Sequence, residues 1–170
     1  MQNLLIIFKK EIFPISLILI LAFARLIPHP PNFTPIIAVA IMSGYLFRNI
    51  YLSLTILTIT MSITDLLIGF YSNMFFVYLS LFIIVFTFFK IGEKIKLKNL
   101  FIFGFLGSLI FYLVSNFGEW ILTEMYEKNL NGLLHCYIAA IPFFKNTIFS
   151  TIIFSYGAFL ANKFLNKKLA

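Results

Sequence analysis

Met74-Phe-Phe-Val-Tyr-Leu-Ser-Leu-Phe-Ile-Ile-Val-Phe-Thr-Phe-Phe89 carries no charge, and Lys90-Ile-Gly-Glu-Lys94-Ile-Lys96-Leu-Lys98 follows at once. A second apolar run, residues 100–117, begins two positions later. A chain that crosses a bilayer, meets the headgroups and turns back has this form: apolar, basic, apolar. A soluble helix would interleave charges along its length to cover an outer face. Two such runs around four lysines therefore decide the class of fold.

The rest of the chain repeats the theme. Hydrophobic residues make up 61% of the 170, with 23 Phe, and charged residues only 11%. Crossing a bilayer takes about 20 apolar residues. Apolar runs predict six helices, at about 11–27, 34–47, 50–70, 74–89, 100–117 and 136–162. Pro28-His-Pro-Pro31 ends the first, because proline cannot donate to a helix ladder. Pro35 is tolerable in the first turn of the second. Asn73 is placed to cap the fourth. Residues 118–134 read as a polar, acidic connection with a turn at Asn131-Gly132 and room for a short interfacial helix. The expectation is an all-α integral membrane protein, a bundle of six transmembrane helices in one domain spanning 1–170.

Charge placement orients the bundle. Lys9 and Lys10, Arg48, Lys90, Lys94, Lys96 and Lys98, and Lys163, Lys167 and Lys168 fall at every second helix connection. They are ten of the thirteen Lys and Arg. Basic connections stay on the cytoplasmic side, so both termini of this multi-pass protein of the cytoplasmic membrane are expected there. The +7 net charge is thereby explained by topology, and nucleic acid is not an expected partner. Ala22-Phe-Ala24 resembles a signal-peptidase site, but the sequence after it stays membrane-like, and a first spanning helix is the better reading.

The same topology collects unusual polar residues at the other end. Arg25, His29, Asn32, Asp65, Asn73, Asn116, Glu119, Trp120, Glu124, Tyr126, His135, Cys136 and Lys145 all fall at or near outward helix ends. Ionised groups at membrane depth cost about 2.5–3.5 kcal/mol each on insertion scales, so they have a partner or a wet cavity. Arg25 with Asp65, and Glu119 with Lys145, are the expected pairs if the role is helix stapling. The set as a whole exceeds what stapling needs and suggests a pocket. Asn32-Phe-Thr-Pro35 reads as a cap and turn, or as a loop over a ligand. Trp120, Tyr126 and Tyr137 read as an interfacial belt or as ligand-stacking rings. Candidate substrate-binding residues are Arg25, His29, Asn32, Asp65, Asn116, Glu119, Trp120 and Lys145. One cysteine, Cys136, excludes an internal disulfide. His29, His135 and Cys136 lack zinc-site spacing, so no metal and no cofactor is expected. The chain has no G-x-x-x-x-G-K-[ST], H-E-x-x-H or G-x-S-x-G motif, which argues against autonomous ATP hydrolysis and against an enzyme.

Five segments carry a family resemblance: Arg25-Leu-Ile-Pro-His-Pro-Pro-Asn-Phe-Thr-Pro35, Thr64-Asp-Leu-Leu-Ile-Gly-Phe70, Val77-Tyr78, Asn116-Phe-Gly-Glu-Trp120 and Gly132-Leu-Leu-His-Cys-Tyr-Ile-Ala-Ala-Ile-Pro-Phe-Phe-Lys-Asn-Thr147. Together they resemble a family of small bacterial membrane proteins of unknown function. That family is similar in size and layout to the substrate-binding S components of energy-coupling factor (ECF) vitamin transporters, and to solitary cobalamin-linked relatives. The resemblance implies an S-component-like six-helix bundle with an outward-facing pocket, and toppling of the bundle to deliver its load. The expected function is a transporter or transport subunit capturing a small vitamin-like or corrinoid solute. Its partners would be the lipid bilayer, the solute and an ATP-driven energising module. The rival expectation is a membrane scaffold or assembly protein that transports nothing.

Overall fold

The computed structural model describes residues 2–47, 49–92 and 95–169, with side chains described over 14–47, 49–92 and 95–164 and at Ile12. Arg48 and Lys94 lie outside the described residues, as do the side chains of Lys9, Lys10, Lys167 and Lys168. The described chain is all-helical. Six α-helices follow one another: α1 (Gln2–Phe23), α2 (Ile36–Leu46), α3 (Ile50–Ile68), α4 (Met74–Ile91), α5 (Leu100–Leu122) and α6 (Leu130–Leu169). Short 3-10 turns extend α1 (Ala24–Leu26) and precede α5 (Leu97–Asn99).

Among the described residues, four helices, α3 to α6, are long and apolar enough to cross a membrane. The other two differ. Among the residues with described side chains, the first helix contributes the apolar stretch Pro14–Leu26, and α2 is only Ile36–Leu46. Eleven residues rise about 16 Å, roughly half a hydrocarbon core. Helix α2 is the axis of the bundle: Ile37 to Met42 are 0–1% exposed, and it touches all five other helices. Its closest approach is to α4. A Cβ on Gly44 would come within 2.8 Å of Val85 O and 2.9 Å of Phe89 N, so the two backbones meet at that glycine.

The outer helices are dressed inside out relative to a soluble bundle. On α4, Phe75, Leu79, Ile83 and Phe86 face outward while Ser80, Leu81, Ile84 and Val85 are buried. On α5, Phe101, Ile102 and Phe105 are exposed, and Gly104, Gly107, Ser108, Ser115 and Gly118 face the interior. Large apolar groups outside and small ones between helices is the arrangement that lipid permits and water does not. Buried hydroxyls are satisfied by main-chain carbonyls, as Ser53 Oγ to Ser43 O (3.0 Å) and Thr60 Oγ1 to Ile56 O (2.8 Å).

Several helix ends depart from the expectation. Helix α1 starts at Gln2 rather than near residue 11, and α5 continues five residues past 117. There is no separate interfacial helix in 118–134, and Asn131-Gly132 is not a turn: both belong to the first turn of α6. The cap is Asn129, whose Oδ1 accepts from Gly132 N at 2.8 Å. Gly132 is required because a Cβ there would lie 2.0 Å from Glu127 O. Asn73 precedes α4 but makes no capping bond, and neither Asn32 nor Thr34 caps α2, whose N-cap is Pro35. Asn49 does cap α3, accepting from Tyr51 N and Leu52 N.

Alternation of the helices separates two ends. At one end Gly92 lies against Tyr45, Tyr45 stacks on Phe159 at 5.8 Å and Phe88 meets Phe103 at 5.7 Å. These contacts gather the lysine-bearing ends of α4, α5 and α6. At the other end lie Arg25, the 27–35 connection, Tyr71, Asn73 and the 123–129 loop.

Candidate functional site

The 27–35 connection folds back over the second end. Its rigidity comes from four prolines and a turn closed by Phe33 N to Pro30 O (2.9 Å). Asn32 has φ of 58°, a left-handed conformation that asparagine tolerates better than most residues. Asn146 on α6 donates to Pro31 O at 2.9 Å, and Phe33 packs edge-on against Phe154. Both tie the connection down onto α6. His29 is exposed, its ring nitrogens against the carbonyls of Pro30 and Arg25.

Beneath this connection sits a cavity of about 400 Å³, walled by α5, α6, the start of α4 and the two loops. Pro31 and Asn32 form its roof, Phe111, Tyr112, Ser115, Asn116 and Glu119 its α5 wall, and Cys136, Ala139, Ala140, Phe143, Phe144 and Thr147 its α6 wall. Tyr71, Asn73, Val77, Met125 and Tyr126 complete it. Two alanines supply the room on α6, next to Pro142. That proline removes one rung of the helix ladder at the same level. A smaller void of about 160 Å³ shares Asn32, Tyr71, Val77, Phe111 and Thr147 with it and reaches Arg25.

Arg25 is the centre of a closed knot. Its Nη1 lies 2.5 Å from Asp65 Oδ1 and 3.0 Å from Thr64 Oγ1. Asp65 is fully buried and accepts a second bond, from Tyr78 OH, at 2.8 Å. The Arg25–Asp65 pairing expected from the sequence is thus present. Tyr71, in the α3–α4 connection, sits beside the knot with its hydroxyl buried and unpartnered. Burial, with the Asp65 charge behind it, pushes the Tyr71 phenol up; Arg25 pulls the other way.

The main cavity has a different chemistry. Its donors are largely engaged with main-chain carbonyls. Asn73 Nδ2 donates to Ser115 O (2.7 Å), Ser115 Oγ to Phe111 O (2.6 Å) and Asn116 Nδ2 to Tyr112 O (2.7 Å). Tyr112 OH donates to Tyr137 O (2.5 Å), Thr147 Oγ1 to Phe143 O (2.9 Å), and the Cys136 thiol to Asn116 O (3.4 Å). Asn73 Oδ1 is buried with no partner. The Glu119 carboxylate has neither an ion pair nor a side-chain hydrogen bond among the described residues; the one ion pair there is Arg25–Asp65. Burial pushes the Tyr126 phenol up, and Cys136 and Glu119 add to it.

A family model matches residues 7–170, and its description is "Family of unknown function (DUF6580)". The chain belongs to that family. No curated protein and no solved structure matches it.

Of the residues singled out in the sequence, Asn32, Asn116 and Glu119 line the main cavity and Arg25 the smaller one. Asp65 stands behind Arg25. His29, Trp120 and Lys145 line neither. Trp120 holds the 123–129 loop instead: its Nε1 donates to Glu127 O at 2.9 Å, and Lys128 binds the carbonyls of Trp120 and Thr123. Lys145 does not pair with Glu119. It is exposed on α6 in the same row as Ile141 and Phe149, a place from which a lysine stem lies along apolar surface and its head reaches for water. The described residues bring no three His, Cys, Asp or Glu together. Tyr71, Tyr112, Ser115 and Thr147 were not singled out. Tyr112 and Ser115 share an i, i+3 face with Gly118 on α5, which is the pattern that marks them in retrospect.

Proposed function

We propose that this protein is a membrane transporter, or the substrate-binding subunit of one, that takes a small vitamin-like solute from the outer face of a bacterial cytoplasmic membrane. The observation that carries this reading is the cavity itself. It is a concave space lined by six aromatic side chains among polar and small ones, with unpartnered polar atoms, at one end of a bundle whose outer surface is apolar. Such spaces are the usual form of small-molecule sites. The lysine-rich end lies opposite, which by the positive-inside tendency supports an outward cavity end and cytoplasmic termini. A cavity of about 400 Å³ suits a solute of vitamin size better than a corrinoid, which is several times larger.

The bundle is proposed to act in the manner of an ECF S component, with an energising module as partner. The chain's lack of a nucleotide-binding motif supports this division of labour. The buried central α2 supports a body that moves as one piece, because its neighbours all pack on it. The test is native mass spectrometry of the purified protein, followed by uptake into proteoliposomes. A retained small molecule whose uptake depends on the protein is the expected result. Protein free of any small molecule, inactive in uptake and stably bound to a protein partner, would instead mark it as a scaffold.

A further inference from the structure

We propose that the cavity selects an organic monocation: a protonated amine, or similar nitrogen cation, on an aromatic or apolar body. This deepens the transport reading above and rests on it. Three observations converge.

The first is the charge left over. Glu119 brings a carboxylate to the wall with no cation against it. Each described cation at this end is engaged or turned away. Arg25 is held by Asp65, Lys128 by two carbonyls of the 120–123 turn, and Lys145 sits on the outer row of α6. A half-buried carboxylate on a wall of rings and small residues has no internal charge to balance it, and a cationic ligand is the group that would do so.

The second is the imbalance of hydrogen-bonding capacity. The amide of Asn73, the amide of Asn116, the hydroxyls of Tyr112, Ser115 and Thr147, and the thiol of Cys136 already donate to the main chain. The hydroxyls and the thiol have spent their one hydrogen and keep acceptor capacity alone, while each amide keeps its oxygen and one N–H. Asn73 is itself 9% exposed, and its Oδ1 has no donor. Its amide orientation is settled by the Ser115 carbonyl, which only an N–H can meet. Acceptors thus outnumber donors on this wall, and a ligand that brings N–H groups meets most of the open capacity. The Tyr71 and Tyr126 hydroxyls can donate as well as accept and serve a polar group elsewhere on the ligand.

The third is the nature of the walls. Phe111, Tyr112, Phe143 and Phe144 present rings to the space, and Tyr112 and Phe144 lie tilted with centroids 4.5 Å apart. Ring faces are electron-rich and attract cations. They repel a carboxylate or phosphate, as does Glu119.

The experiment is a charge series on the full chain in nanodiscs. Phenethylamine, 2-phenylethanol and phenylacetate have one ring and a short tail but carry +, zero and − charge near neutral pH. Calorimetric titration is expected to rank the amine about tenfold or more above the other two, as charge-assisted hydrogen bonds imply. Glu119→Gln should collapse that ratio to near unity, while Lys145→Gln leaves it intact. If the alcohol or the acid binds wild-type protein as well as the amine does, the cation assignment is overturned, and a transport function for neutral or anionic solutes survives. If none of the three binds while proteoliposomes still take up a vitamin, the assignment is again overturned and transport stands. Absence of both binding and uptake brings down both readings. The wild-type ranking decides the matter even if the Glu119 variant fails to fold.

Discussion

Two ionic centres share one end of this bundle and have opposite endings. Around Asp65 both oxygens are taken: Oδ1 by the Arg25 guanidinium and Oδ2 by the Tyr78 hydroxyl, and the side chain is 0% exposed. Around Glu119, one wall away, nothing closes. Charge in a low-dielectric place is tolerated either by full pairing or by access to something that will pair with it. The knot is the first case and joins α1, α3 and α4. The cavity is the second and lies between α4, α5 and α6. The contrast separates what holds this protein together from what, on the reading proposed above, it offers to a ligand, although both use the same residue types.

Breaking the knot should give the largest effect. Asp65→Ala or Arg25→Ala leaves a lone buried charge, and the expected cost is about 3–5 kcal/mol. Thermal unfolding in detergent reads it directly. Arg25→Met combined with Asp65→Leu should recover most of the loss, since a well-packed apolar pair removes both charges together. If the double variant is as weak as the singles, the pair is not acting as a unit.

Tyr78→Phe sharpens the same side of the comparison. It removes one bond to a charged acceptor, for an expected loss of about 1.5–3 kcal/mol. The same unfolding assay should show a deficit smaller than that of Asp65→Ala and absent in the Arg25→Met, Asp65→Leu background.

Glu119→Gln should behave in the opposite way. No partner is lost, so stability is expected to stay within about 0.5 kcal/mol of wild type, or to rise. Its effect should appear in ligand selection alone. A fall in stability comparable to that of Asp65→Ala would mean that Glu119 has a partner and that the two centres are alike.

The smallest effect is alkaline. Burial first, then Cys136 and Glu119, push the Tyr126 phenol up. The folded protein therefore holds that proton more tightly than the unfolded chain. The stability this contributes is complete below the usual tyrosine value of about 10 and is lost as pH rises through the higher folded value. Tyr126→Phe should flatten the decline in unfolding temperature above about pH 10. An unchanged slope would remove Tyr126 from the list of groups that sense Glu119.

How far these centres were legible in the sequence differs for a physical reason. Arg25 and Asp65 stand alone in apolar runs, and two opposite charges near like ends of neighbouring helices have little choice but to meet. Glu119 and Lys145 invited the same reasoning. It failed because a helix face turns about 100° per residue, and the rotation of α6 sends Lys145 outward while Cys136, Ala140 and Thr147 go in. The sequence suggests a belt or ligand role for Trp120; seven residues later Glu127 O captures its N–H, a loop closure with no signature in composition. The sequence places Asn73 as a cap because caps are local. Its bond to Ser115 O, forty-two positions on, is not local at all.

By itself the sequence determined the material of this protein: long uncharged runs that must be helical in lipid, lysine blocks at alternate connections, and a surplus of polar groups opposite them. Hydropathy and charge act one segment at a time, so they can be read from the string. The tertiary structure alone decided that the shortest helix, α2, is the axis, that one carboxylate is matched and the other is not, and that small residues on α6 leave a space under the proline-rich connection. Those outcomes depend on how helices rotate and meet, which is fixed by close packing among residues far apart in the chain.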